Sequence, residues 1–285
     1  MKFAANTFIW SDHFDRSHLS LLPKLKAAGF DGVELPLIDP RHAKDPEIKQ
    51  ALDDSGLART FCSVLPQGLN TLSDEAPVRS KTRDHLKACI EAAADTGGHV
   101  LAGPLYAPVG YLPGRRRTPE EWKRAVEMFQ ELGPYLETFD MILAIEPLNR
   151  YETYFLNTAA DAAKLCREID HPRVGILFDT YHANIEEKSM RDAIASAGPY
   201  LRHVHSCEND RGIPGTGHVN WAEVFQALHA LRYHGWLTIE GFGFSLGALS
   251  AAASIWRDLA PTPEAIAFEG LRFLREAGAR FTTAQ

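Results

Sequence analysis

The chain has 285 residues, 45% of them hydrophobic and 24% charged, with a formal net charge of -7. That balance fits a soluble globular protein with a sizeable core, arranged as one large domain or two small ones. The acidic excess argues against a dedicated nucleic-acid or acidic-membrane binder, and no stretch has the build of a signal peptide or a bilayer span. In chain order, residues 3–10 read as a first strand and 17–28 as a helix with Leu19, Leu22, Leu25 and Ala28 on one face, stopped by Gly29. Strand patterns follow at 30–37 and 58–65, with a short helix at 46–55 between them and a loop at 66–70. A long helix over 76–96 precedes a fourth strand at 99–103. The loop 104–117 is long and rich in Gly, Pro and Tyr, as lids and walls often are. It ends in Thr118-Pro-Glu-Glu121, a capping box with proline at the first helical position. Strands are then expected at 141–145, 174–178, 201–204 and 236–239, alternating with helices at 158–169, 188–197, 221–231 and 263–277.

Eight strand–helix units in this length predict one (β/α)8 barrel domain spanning residues 1–285. A doubly wound open sheet would also alternate, but no GxGxxG turn follows the first strand. No linker or short-period repeat divides the chain. Cys62, Cys89, Cys166 and Cys207 form no CxxC pair and read as free thiols in a reducing compartment, so the expected location is the cytoplasm.

The chemistry concentrates at four strand ends. Glu146 ends the fifth strand and is followed by Pro147, Asp179 ends the sixth, His205 the seventh and Glu240 the eighth. In a barrel the carboxyl ends of strands converge on one face, where active sites sit. Three carboxylates sharing one point need a cation, because like charges in a common site otherwise hold protons. Three oxygen donors and one imidazole suit manganese, magnesium or cobalt, with zinc also compatible. Taken singly, each residue is more often a cap or a solvated group; four in register on adjacent strands point to a site. Asn149, Arg150, Tyr151, Glu152, His182, Glu208, Asn209, Asp210 and Arg211 follow these ligands in the same loops, where they could orient them or hold sugar hydroxyls.

The segments IEPLNRYE (145–152), FDTYHANIEE (178–187), HVHSCENDRGIPGTGHVNW (203–221) and TIEGFG (238–243) resemble the ketose 3-epimerases. This is the D-tagatose, D-allulose (psicose) and L-ribulose 3-epimerase group of the xylose-isomerase-like sugar isomerase/epimerase barrels; AGFDGVELPL (28–37) resembles it more weakly. The resemblance implies that Glu146, Asp179, His205 and Glu240 ligate a divalent metal, manganese first, with cobalt or magnesium as alternatives. It makes Glu146 and Glu240 the acid/base pair and Glu152, His182 and Arg211 the substrate-binding residues. The implied reaction moves a proton at carbon 3 of a free ketose such as D-fructose, D-tagatose or L-ribulose, through an enediolate whose charge the metal holds. The resemblance also implies a homodimer or homotetramer. The far end of the sugar is expected to meet Phe8, residues 65–68 and residues 105–111.

Other chemistries fit the same site. An aldose–ketose isomerase acting on hydroxypyruvate or a cyclic polyol ketone, or an enolate-type dehydratase or lyase, would use the same cation and acids. Phosphate binding at Gly215-Thr-Gly217 or Gly241-Phe-Gly243 is disfavoured, since Phe242 and Phe244 make the last loop apolar. A multi-zinc repair endonuclease would need more ligands on strands two to four than Glu34 and His99 supply, and Arg115-Arg116-Arg117 reads as a solvated loop. A non-catalytic sugar-binding protein would not need two opposed glutamates.

Overall fold

Apolar runs buried on both faces become the eight strands of a closed parallel barrel in this computed structural model, which describes residues 1–243 and 247–282. They are β1 (Lys2–Asn6), β2 (Gly32–Pro36), β3 (Ala58–Cys62), β4 (Val100–Gly103), β5 (Ile142–Ile145), β6 (Val174–Asp179), β7 (Leu201–His205) and β8 (Trp236–Ile239). Each strand pairs with the next, and β1 closes the ring on β8. The helices around it are α1 (Leu21–Ala28), α2 (Pro46–Ser55), α3 (Ala76–Asp95), α4 (Pro119–Thr138), α5 (Ala159–Ile169), α6 (Thr180–Glu186), α7 (Met190–Ala197), α8 (Trp221–Ala230), α9 (Ala248–Ala252) and α10 (Pro263–Thr282). The expected (β/α)8 architecture is present.

The boundaries shift for local reasons. β1 ends at Asn6, whose side chain accepts from the Phe8 amide at 2.9 Å and starts a 3-10 turn at Thr7–Ile9. α1 starts at Leu21, because Asp15 caps a separate 3-10 turn at Arg16–His18. The Thr118–Glu121 capping box forms as expected, and Ser189 caps α7 one residue inside the expected start. Two short helices were not expected: α6, capped by Asp179 itself, and α9 in the last loop. Among the described residues, no helix is long and apolar enough to cross a membrane.

Register sets the site. Asp179 and His205 are Cα partners across β6 and β7, and His205 pairs with Thr238, two residues before Glu240. At the end of β4, Gly103 has φ 132°, and a Cβ there would sit 2.0 Å from the Ser63 carbonyl. That close approach needs glycine, and it leaves the Gly103 carbonyl to accept from the Glu146 amide at 3.0 Å. Glu146 is thereby fixed just beyond β5.

Candidate active site

The four strand-end residues meet. Ligand atoms of Glu146, Asp179 and His205 lie within 4.8 Å of one another, and Glu240 Oε1 lies 3.3 Å from His205 Nδ1. All four side chains are buried. Asp179 Oδ1 is spent on capping α6, accepting from the Tyr181 amide at 2.6 Å, so Oδ2 faces the cluster. There Arg211 Nη1 donates to Asp179 Oδ2 at 3.1 Å and to Glu240 Oε2 at 2.5 Å.

Burial and neighbours drive the carboxyls apart. Burial, reinforced by Glu240 and Asp179, pushes Glu146 well above the usual carboxylate range despite His205. Burial also lifts Asp179, to about 6, against the pull of Arg211. For Glu240 burial acts the same way, but His205 and Arg211 outweigh it and bring its pKa down to about 2. Across one cluster, then, burial drives Glu146 up while His205 and Arg211 draw Glu240 down. Such a split is how a protein assigns an acid and a base.

Beneath the cluster lies a polar layer that the strand ends did not reveal. Asn6, Glu34 and Thr60 are at one level across β1, β2 and β3. Glu34 Oε1 accepts from His205 Nε2 at 2.7 Å and from Asn6 Nδ2 at 3.0 Å. Its Oε2 accepts from His203 Nε2 at 2.7 Å and from Thr60 Oγ1 at 2.8 Å. Burial opposes charge on Glu34, but His203 and His205 prevail and hold it well below the carboxylate range. This carboxylate fixes the His205 ring and leaves Nδ1, fully buried and without a hydrogen-bond partner, turned to the acids. An orphaned imidazole nitrogen among three buried carboxylates fits a divalent cation. The sequence carried two signals for this layer: an acid inside the apolar run of β2, and His203 two residues before His205, hence on the same face of β7.

Above the cluster is a cavity of about 130 Å³ lined by Glu146, Glu240, Glu152, His182 and Arg211. The Asn149 amide donates to His182 Nδ1 at 3.1 Å, so the neutral ring carries its proton on Nε2. Burial and Arg211 keep that ring neutral. His182 Nε2 lies 3.6 Å from Glu146 Oε1 and 3.2 Å from Arg211 Nη2. Nε2–H and the guanidinium are thus two donors set face to face, an arrangement that a ligand oxygen would satisfy. Glu152 Oε1 accepts from Asn149 Nδ2 at 2.8 Å. The rest of the wall is apolar: Phe8, Ile38, Val64 and Val109 from the first half of the chain, Phe242 and Leu249 from the last loop. Of the expected far wall Phe8 takes part and, from residues 105–111, Val109; Pro104 lies just outside that range, and Val64 takes the place given to residues 65–68. Phe244 lies outside the described residues.

Several loop residues serve structure instead. Glu208 accepts from the Gly215, Val219 and Asn209 amides and from Trp221 Nε1, so the Gly215–Gly217 loop spends its first amide on a carboxylate. Arg150 pairs with Glu186 at 2.9 Å, and Asp210 with Arg257 at 3.3 Å. In the basic run, Arg115 binds Glu121 at 2.7 Å and Arg117 binds Asp161 at 2.9 Å, tying the loop to α4 and α5. His99 is exposed beside Asp140.

A family model described as a xylose isomerase-like TIM barrel matches residues 22–277. A Synechocystis protein named "Probable ketose 3-epimerase" is 36% identical over 281 residues, covering 97% of this chain and 96% of that one. A D-psicose 3-epimerase from Enterocloster bolteae is 32% identical, covering 92% and 89%. The crystal structure of a His-tagged D-allulose 3-epimerase from a Methylomonas species, in complex with D-allulose, matches with a TM-score of 0.92 at 28% identity over 97% of each chain.

Proposed function

Because the chain belongs to the xylose isomerase-like TIM barrel family and, within it, to the ketose 3-epimerases, we propose that it epimerises free ketoses at carbon 3 with the help of one divalent cation. By that membership it is an isomerase-class enzyme. The observation that carries the finer reading is that Glu146, Glu240, Glu152, His182 and Arg211 line one cavity directly above Asp179 and His205. Ketohexoses and ketopentoses of the D-fructose/D-allulose, D-tagatose/D-sorbose and L-ribulose/L-xylulose type are the proposed substrates. Residues 1–285 are read as one barrel domain, assembling as a homodimer or homotetramer.

Glu146, Asp179, His205 and Glu240 would hold the cation, and manganese suits their donors best, with cobalt or magnesium compatible. Bound there, the cation would supply Lewis-acid stabilisation of the charge that develops as the carbon-3 proton leaves. Of Glu240 and Glu146, one carboxylate takes that proton from one face of the sugar and the other returns a proton to carbon 3 from the opposite face, which inverts the centre. Their strands, β5 and β8, stand far apart around the eight-stranded ring, which permits attack from two sides. In the reverse direction the two exchange roles. His182 Nε2–H and Arg211 donate to the ketose oxygens, and Glu152 accepts from a hydroxyl with the oxygen that Asn149 leaves free. The apolar wall keeps water from the reacting carbon.

The test is proton exchange. Metal-stripped protein, reloaded with manganese, is incubated in deuterium oxide with D-fructose, D-allulose, D-tagatose and L-ribulose, and the label is located by NMR. Deuterium at carbon 3 with the 3-epimer appearing is expected. Label at carbon 1 or 2 with an aldose product would overturn the reading in favour of an aldose–ketose isomerase.

A further inference from the structure

We propose that Cys207 gives the cation site a second mode: thiophilic divalent cations such as zinc and cadmium bind through Cys207, Asp179 and Glu240, whereas manganese and magnesium use oxygen and nitrogen donors alone. This inference rests on the cation site of the preceding reading. Cys207 is buried two residues beyond His205, and its backbone is clamped on both sides by one hydroxyl. Its amide donates to Thr180 Oγ1 at 2.8 Å, and Thr180 Oγ1 donates to its carbonyl at 2.6 Å. Held in this way, Sγ lies 3.4 Å from Asp179 Oδ2 and 3.8 Å from Glu240 Oε2. Zinc–sulfur and zinc–oxygen bonds of about 2.3 and 2.0–2.2 Å give a tetrahedral S···O edge of about 3.5 Å. The two distances bracket that edge.

Two further observations point to a cation at this place. The three donors already converge on a positive group, for Arg211 Nη1 lies 3.1 Å from Asp179 Oδ2, 2.5 Å from Glu240 Oε2 and 3.5 Å from Sγ. His205 Nδ1, fully buried and without a hydrogen-bond partner, stands 3.3 Å from Glu240 Oε1, beside these donors. Binding exchanges the S–H bond for an S–metal bond, releases that proton to solvent, and moves Arg211 Nη1 from its place. Thiolate is a soft ligand that zinc and cadmium favour over manganese and magnesium. Both modes need Asp179 and Glu240, so they exclude each other. A thiophilic cation held in this way therefore competes with manganese for the site.

Cobalt distinguishes the possibilities by absorption. The metal-stripped full chain is titrated with cobalt(II), whose visible ligand-field bands report binding and whose near-ultraviolet sulfur-to-cobalt band reports thiolate. The wild-type protein is expected to show both; Cys207→Ser and Cys207→Ala, checked by near-ultraviolet circular dichroism for an intact fold, keep the visible bands and lose the other. By calorimetry the same variants lose at least about tenfold in cadmium affinity and keep manganese affinity within about twofold, the asymmetry ligand softness dictates. Visible bands without a charge-transfer band in the wild-type protein would overturn the inference and leave the cation site standing. A charge-transfer band that survives in the Cys207 variants and vanishes in Cys62→Ser would overturn it in favour of Cys62. Absence of visible bands would overturn the cation site itself, and this inference with it.

Discussion

The two halves of the barrel mouth are built on opposite plans. β5 to β8 end in Glu146, Asp179, His205 and Glu240, and the loops beyond them add Glu152, His182 and Arg211. β1 to β4 open into Phe8, Ile38, Val64 and Val109, and among the described residues no charged side chain from that half lines the cavity. One half brings charged groups to the cavity; the other lines it with apolar side chains. The sharpest way to break this division is to neutralise the opposed carboxylates. Glu146→Gln and Glu240→Gln each remove one proton carrier, and kcat should fall by about 10²–10⁴-fold in both directions of the reaction. Chiral chromatography of epimer formation measures the loss. A single variant that kept wild-type turnover would mean that its carboxyl moves no proton.

Glu34 crosses the division. It belongs to β2, yet its Oε1 holds His205 Nε2 at 2.7 Å from beneath. Glu34→Gln keeps the shape but removes the charge that orients the imidazole, and manganese affinity should weaken by about 10–100-fold. Excess manganese should restore most of kcat, which would mark Glu34 as a positioning residue. Nitrogen-15 shifts of His205 should change with it. Unchanged affinity would return Glu34 to the barrel core as a structural group only.

How much of this was legible in the sequence follows the same division. The strand-end residues stood out because a charged residue closing an apolar run has few structural reasons to be there, and the closed barrel gathers Glu146, Asp179 and His205, with Glu240 against His205. The Glu34–His203–His205 layer was harder to read, since it depends on which residues share a level across strands far apart in sequence. The wall was least legible: Ile38 and Val64 have no periodic signature, and α9, which brings Leu249 over the mouth, is one short turn of small residues. Loop acids carried little signal of their own. Glu208 could as well have been a loop contact as a substrate group, and it is fully buried with both its oxygens accepting from loop amides.

Charges in the first half of the mouth do structural work outside the cavity. Glu121, at the start of α4, accepts from Arg115 and Tyr154 as well as the Thr118 amide. Burial opposes its charge, yet these partners bring its pKa down to about 2 from 4.5. A carboxyl depressed by folding stabilises the fold above its unfolded pKa, and the contribution is lost as the pH falls from about 4.5 towards 2. Glu121→Gln should cost about 2 kcal/mol at neutral pH and flatten the stability profile across that interval. Urea unfolding at a series of pH values would measure both, while kcat should stay near wild type. A large fall in kcat would mean that the loop 104–117 is coupled to the chemistry.

The apolar wall should yield the smallest effect, and a different kinetic signature. Ile38 lines the cavity and packs against the cluster of Phe8, Cys62 and Phe242. Truncating it to alanine removes a few half-buried carbons, about 1 kcal/mol of apolar contact. If the proposed proton transfer takes place among the carboxylates, the wall would hold the far end of the sugar equally well before and during it. Loss of such uniform binding raises KM by roughly fivefold and leaves kcat within about twofold. The contrast with Glu240→Gln, where kcat falls and KM moves little, tests the division of labour directly. If Ile38→Ala lowered kcat as well, the wall would be aligning carbon 3 between the two carboxyls, and the two halves would share the chemistry. If neither parameter moved, the sugar would not reach Ile38, and the selectivity for its far end would have to come from Leu249 and Phe242 instead.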